Sequence, residues 1–448
     1  MTCRHPIRIC ALYGLVAALA ATSTPLRADD AAELKREFET LRKQNAALQE
    51  QLRRQQSVID ELTKRVAGIE QTAGTHDVAS TEPREDSKAG DVIAKTPAGF
   101  NIGKVNISGE GGVGLFHTQR EGAFPNAEFR VDVAKLFVEA PVWNDIYAVA
   151  ELSLMTRENE GLGLSLGELY VDFENVSRWF GRDRLLNVRV GRFDIPFGEE
   201  YLQRDAIDNP LISHSLSDIW GVDEGVELYG SLGKVSYVIA VQNGGVSGGR
   251  DYDSDKAVVG RLSYDPTPWL HLSASGMRTG NLNAWDDFIS ELWFGNGWVR
   301  SIGSPATTLF HANLVEGDIA VKLPRGHLRA FGGYLHYGDN DPAANNRRDV
   351  YYYSVEGVHE ITRRFYAAAR FSQIFAHNGF PIVGHGEFNN YFNNELTTDI
   401  WRLSLGVGYR LGEHALIKTE YTFERGHELS GDWREREDFF GAEVAFKF

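Results

Sequence analysis

From Gly99 to Phe448, apolar and polar residues alternate with a period of two in one segment after another. Side chains of a β-strand point to opposite faces in turn, so each segment predicts a strand with one oily face and one polar face. Trp401, Leu403, Leu405, Val407, Tyr409 and Leu411 stand against Arg402, Ser404, Gly406, Gly408 and Arg410. The chain closes in the same style, with Phe440, Ala442, Val444, Phe446 and Phe448 opposite Gly441, Glu443, Ala445 and Lys447. Sixteen such segments can be marked, from Lys104–His117 to Glu437–Phe448. The second, Ala127–Ala140, changes face near Ala134, which predicts a bulge there.

The connections separate architectures that share this alternation. After the even segments they are short, as at Pro141–Asn144, Leu232–Gly233, Pro266–Pro268, Pro324–Gly326 and Gly412–Glu413. After the odd segments they are mostly long and polar, as at Asp194–Gly221, Thr279–Leu309, Ala376–Thr397 and Gly426–Arg436. A soluble sandwich has no reason to sort loop length by parity, whereas a membrane barrel has short turns on one side and long loops on the other. Glu174–Leu185 is a long connection on the short side, an exception to the rule. The predicted fold is all-β, a 16-stranded antiparallel transmembrane β-barrel over 99–448, preceded by an α-helical coiled coil.

The coiled coil follows from a change of period. Leu34, Leu41, Leu48, Leu62 and Ile69 recur at one heptad position and Phe38, Leu52, Ile59 and Val66 at the other, with Asn45 and Gln55 as polar exceptions. This pattern predicts a stalk over 29–70 that needs partner chains. Residues 71–98, rich in Gly, Ser, Thr, Pro and mixed charge, predict a flexible linker. Residues 1–28 have the form of a signal peptide: Arg4 and Arg8, an apolar run Ile9–Ala21, and a cut expected before Asp29. Both cysteines, Cys3 and Cys10, lie in that leader, so thiol chemistry, disulfides and Cys-ligated zinc are not expected.

Charge narrows the partners. The formal net charge is -16, and from Gly99 onward 48 Asp and Glu stand against 32 Lys and Arg. That balance argues against nucleic acid. Gly109 to Gly114 matches GxGxxG but lies in a predicted strand with no helix after it, so no dinucleotide cofactor is expected. Asp251, Asp253 and Asp255 start like a calcium loop, but Lys256 and Leu262 stand where Gly and Glu are needed. His377, His385 and Glu387 lack the HExxH spacing, and no Ser-His-Asp arrangement can be read, so no enzyme, metal or cofactor is expected.

Phe129-Arg130-Val131, Lys135-Leu136-Phe137-Val138-Glu139, Glu168-Leu169-Tyr170-Val171-Asp172 and the run Val188 to Gly198 with its GxFxxPFG together resemble the phosphate-selective porin O and P family. The resemblance implies a 16-stranded, usually trimeric outer-membrane channel whose third loop folds into the lumen, and whose last strand is read by the outer-membrane assembly machinery. This chain departs from the family's basic cluster on the second strand, where Asp132 and Val133 stand beside Arg130 and Lys135.

The expected function is a passive porin in the bacterial outer membrane with its stalk in the periplasm. The expected pore-lining residues are Arg189, Glu168, Asp172, Arg261, Arg370, Arg402, Lys418 and Glu420. The expected constriction loop carries Asp194, Glu199, Glu200, Arg204, Asp205 and Asp208, its acids facing wall arginines such as Arg189 and Arg261. The acidic loop favours cations. A competing expectation is a structural tether, with the stalk binding peptidoglycan and the barrel serving as an anchor in lipid.

Overall fold

A computed structural model describes residues 100–448 except 103, 157–162, 246–250, 252–253 and 285–300. The expected leader, stalk and linker lie outside the described residues. Sixteen long strands form the barrel: β1 Val105–Thr118, β2 Glu128–Trp143, β3 Ile146–Thr156, β4 Ser165–Phe173, β5 Asn187–Asp194, β6 Val222–Leu232, β7 Val235–Gln242 and β8 Ala257–Thr267. They continue as β9 Leu270–Arg278, β10 Leu309–Leu323, β11 Gly326–Asp339, β12 Arg348–Glu360, β13 Phe365–Phe380, β14 Thr397–Arg410, β15 Ala415–Glu428 and β16 Phe439–Lys447. Each pairs antiparallel with its sequence neighbour, and β16 pairs with β1 from Phe439↔Thr118 to Lys447↔Glu110. The sheet therefore has no free edge, the condition for backbone to cross lipid as strands.

Polarity is inverted relative to a soluble protein. Val226, Leu228, Ile239, Val241, Val315, Ile319, Leu405, Val407, Val444 and Phe446 are exposed on the outer surface. Glu110, Asp172, Arg189, Glu227, Arg370, Lys418 and Glu443 are buried inside. The period-two pattern thus puts its oily positions outward, and an outer face of this kind suits lipid.

Closure explains the glycine run of β1. The main chains of Gly109 and Phe448 exchange hydrogen bonds of 3.0 and 2.8 Å. A Cβ on Gly109 would stand 2.6 Å from the Phe448 ring and 2.9 Å from the Lys135 carbonyl, and one on Gly111 would stand 2.6 Å from the Phe446 ring. The glycines leave room for the last aromatic rings to lie across the seam. GxGxxG here is strand packing.

The bulge expected near Ala134 is found: register shifts occur between Gly112 and Val113 opposite Val131–Val133, and between Ala134 and Lys135 against β3. The expected turns at Pro141–Asn144 and Pro266–Pro268 are tighter than predicted, since Pro141 and Pro266 sit within the ends of β2 and β8. Proline is tolerated there because the ladder is ending, and at Pro141 a register irregularity adjoins it. The exceptional long connection contains a one-turn helix at Val176–Phe180. The Asn175 side chain accepts from Arg184 N and the Ser177 hydroxyl accepts from Leu185 N and Leu186 N, so that turn has fixed form.

Candidate functional site: the third loop against the inner wall

The segment between β5 and β6, residues 195–221, leaves the sheet and lies across the interior. Pro196-Phe197-Gly198 turns it inward. Gly198 has φ +65, and a Cβ there would strike the Glu316 carboxylate. Its N–H donates to Ser275 Oγ at 3.1 Å and its carbonyl accepts from the Arg261 guanidinium. A loop indoors must find partners for its backbone polar groups, and the inner wall supplies them.

Lys418, on β15, donates to the carbonyls of Ala206 (2.6 Å), Leu211 (2.7 Å) and Asn209 (3.2 Å), with the Glu443 carboxylate at 3.4 Å. Glu420 accepts from Ile212 N (2.5 Å), Ser213 N (2.8 Å) and the Ser213 hydroxyl. Arg370 donates to Ser213 O at 2.6 Å and to Asn209 Oδ1 at 3.0 Å while paired with Glu356. Arg402 donates to His214 O at 3.0 Å and to Glu424 at 2.6 Å. Wall cations therefore meet loop carbonyls, and wall carboxylates meet loop N–H groups.

Apolar contacts seat the same loop. Phe193, Ile195, Phe197, Leu216 and Ile219 join inward side chains such as Val259, Leu314, Leu335, Ile374 and Ile400 in one buried cluster. Ala206, Ile207 and Leu211 pack with Val358, Tyr366, Ala368, Leu416 and Ala445, and Ile212 joins Phe116 and Phe439 in a further cluster. Part of the interior is thus a packed core, not open water.

The expected site residues differ in what they meet. Arg261, Arg370, Arg402, Lys418 and Glu420 hold the loop, as described. Arg189 does not meet the loop acids: it lies 3.0 Å from Asp172 and 3.4 Å from Glu227, stacked over Tyr170 at 4.2 Å. That expectation is corrected, because the register sets Asp172 and Glu227 directly across from Arg189 on the neighbouring strands, and they pair with it. Glu168 accepts from Asp194 N at 3.1 Å, next to the loop's root.

Within the loop, Glu199 takes His271 at 2.7 Å and Ser263 at 3.2 Å. Glu200 accepts from Ser215 N at 2.8 Å, so it serves the loop itself. Arg204 pairs with Asp218 and stacks over Trp220. Asp208 lies 3.7 Å from Lys447. Asp205 faces Lys135 at 3.4 Å. Burial pushes the carboxyls of Glu199 and Asp205 up, but His271 in the first case and Lys135 in the second outweigh it, and both are held below their ordinary values.

Lys135, Glu110, Glu151, Glu227, Glu316, Asp318 and Glu356 also share the inner face in the register and were not among the expected pore residues. With Asp172, Glu168 and Glu420 they put carboxylates in the majority over Lys135, Arg189, Arg261, Arg370, Arg402 and Lys418. The alternation rule could have found most of them. The β2 bulge scrambled the faces around Lys135. Among the described residues no group of three or more ligating side chains could hold a metal, and Asp255 is taken by Arg278 and Asn281.

No protein-family profile matches the chain, and no curated protein matches its sequence. Solved structures do share its architecture. The outer-membrane channel DcaP of Acinetobacter baumannii superposes with TM-score 0.54 at 14% identity, covering 78% of this chain and 100% of that one. The trimer form of OmpT, an outer-membrane protein of Vibrio cholerae, gives 0.50 at 13% identity over 77% and 99%. An anion-selective porin from Comamonas acidovorans gives 0.50 at 10% identity over 77% and 99%. The fold is the porin-type sixteen-strand barrel.

Proposed function

We propose that this chain is an outer-membrane porin, a channel for passive diffusion of ions and small polar solutes. The observation that carries the reading is the closed barrel with an apolar exterior, an inner wall of polar and ionisable side chains and an inward loop. The similar structures, a channel, an outer-membrane protein in trimer form and a porin, agree with it. On this reading the short turns face the periplasm, the long loops face outside, and the chain assembles as a homotrimer.

Cation preference follows from the wall. Its carboxylates are in the majority, and the cations best placed to attract an anion are taken by carbonyls and carboxylates. Phosphate recognition requires converging free donors, so the finer resemblance to the phosphate-selective family extends to architecture and not to its solute. Purified protein in a planar bilayer under a salt gradient tests both points. Conductance steps with a reversal potential of cationic sign are expected. Absence of steps removes the channel, and a strong anionic potential removes the preference.

A further inference from the structure

The region of the interior bounded by β1, β2, β3 and the third loop is built differently from the latch around Lys418. The ammonium of Lys135 is surrounded by carboxylates, with Asp205 at 3.4 Å, Glu110 at 3.7 Å and Glu151 at 3.7 Å. These carboxylates come from three separate elements: the loop, β1 and β3. Glu151 lies over Gly167, where a Cβ would stand 2.3 Å from its oxygen, and Ser153 donates to it at 2.9 Å. Glu110 is buried, its side chain 4% exposed, and its Oε1 accepts no hydrogen bond although the ammonium is beside it. The Lys135 and Asp205 side chains are 24% and 33% exposed, so the cage opens to the lumen.

We propose that this region is a binding station for primary alkylammonium solutes, and that Lys135 is its tethered resident. The inference rests on the channel reading above. The site already receives one ammonium, and contacts of 3.4 to 3.7 Å, longer than the ~2.7–2.9 Å of a close charge-assisted bond, hold that resident loosely. Lysine is a compact point charge on a flexible stem, able to swing into the lumen and return. An entering ammonium takes the three carboxylates as Lys135 moves aside, and the returning Lys135 ejects it. Conduction needs binding strong enough to admit and weak enough to release. A resident competitor meets that need in a site whose acid excess would otherwise trap the solute.

The probe is n-butylammonium chloride, the free analogue of the lysine side chain, applied to the full chain in planar bilayers. Wild-type channels are expected to conduct with little block. Lys135→Ala should be blocked at about tenfold lower concentration, the factor that one charge-assisted contact supplies, and Lys135→Arg should behave as wild type. Equal block of Lys135→Ala and wild type overturns the proposal. So does undiminished block when Glu110→Gln is added to Lys135→Ala. Unfolding of detergent-solubilised protein gives a second readout that needs no conductance, with Lys135→Met as the substitute should Lys135→Ala not fold. Butylammonium should raise the unfolding midpoint of the variant but not of wild type. No shift, or an equal shift with tetramethylammonium, which has no N–H to donate, overturns it. Missing conductance steps in wild type would instead remove the channel reading while the unfolding assay still decides the station.

Discussion

Lys418→Met tests whether the wall latches the third loop. The ammonium is 2% exposed at the side chain and meets three loop carbonyls at 2.6, 2.7 and 3.2 Å, with Glu443 at 3.4 Å. Hydrogen bonds to a charged group contribute ~1.5–3 kcal/mol each, though not additively. Removing one member of a buried pair costs ~3–5 kcal/mol because the remaining charge loses its compensation. At that depth solvent does not screen the loss. The population of the released loop should therefore rise by roughly two to three and a half powers of ten, on the order of what ~3–5 kcal/mol implies. Open-channel noise should increase, and residues 204–217 should become cleavable by protease in detergent. Lys447→Met is the control. Its partner Asp208 is 53% exposed and 3.7 Å away, which predicts a change of only ~0–1 kcal/mol. A Lys418→Met channel as quiet and as protease-resistant as the control would refute the latch.

Gly109→Ala should weaken closure by ~1–3 kcal/mol, the usual cost of overpacking, because the new methyl meets both the Phe448 ring and the Lys135 carbonyl; a lower midpoint for heat-induced unfolding in detergent checks it. Arg189→Met should cost ~3–5 kcal/mol of barrel stability by stranding Asp172 and Glu227, while leaving the reversal potential of surviving channels nearly unchanged. The pH dependence has a definite sign. Glu199 and Asp205 are held below their ordinary 4.5 and 3.8, so the loop contacts they make are fully present above those values and fail as pH falls through the lowered ones. Noise should rise as pH falls below about pH 4; channels as quiet at pH 3 as at pH 5 would contradict the assignment.

The barrel was legible because its determinants are local. A period of two and the parity of loop lengths can be read without knowing any long-range contact, and strand count and the β2 bulge follow from them. The same alternation assigns Glu168, Asp172, Arg189, Arg261, Arg370, Arg402, Lys418 and Glu420 to the polar face, and all but Glu168 are buried in the structure. Their partners were not legible. Nothing in the pattern says that Lys418 will hold the carbonyls of Ala206, Asn209 and Leu211, more than two hundred residues earlier in the chain. Nor does it say that Arg189 will prefer Asp172 and Glu227 to the loop. Those choices depend on how the loop crosses the interior, and its apolar residues Phe197, Leu211, Ile212 and Leu216 set that path.

The path changes what the fixed charges mean. An irregular segment inside a barrel has backbone donors and acceptors that water can reach only in part, and a buried one left unmet costs as much as a lost hydrogen bond. Arg261, Arg370, Arg402, Lys418 and Glu420 meet them, so these residues act first on the loop's shape and only through it on a passing ion. Charges that still touch both loop and lumen include Glu199 with His271, Asp205 with Lys135 and Asp208 with Lys447. Selectivity should accordingly respond far more to Lys135 than to Arg370 or Arg402, whose removal should show first as loss of loop order. Charge-neutral substitution at Lys135 and at Arg402, with reversal potential and open-channel noise recorded from the same channels, separates the two roles. If the potential moves with Arg402 and not with Lys135, the wall arginines face the ion path after all and the division argued here is wrong.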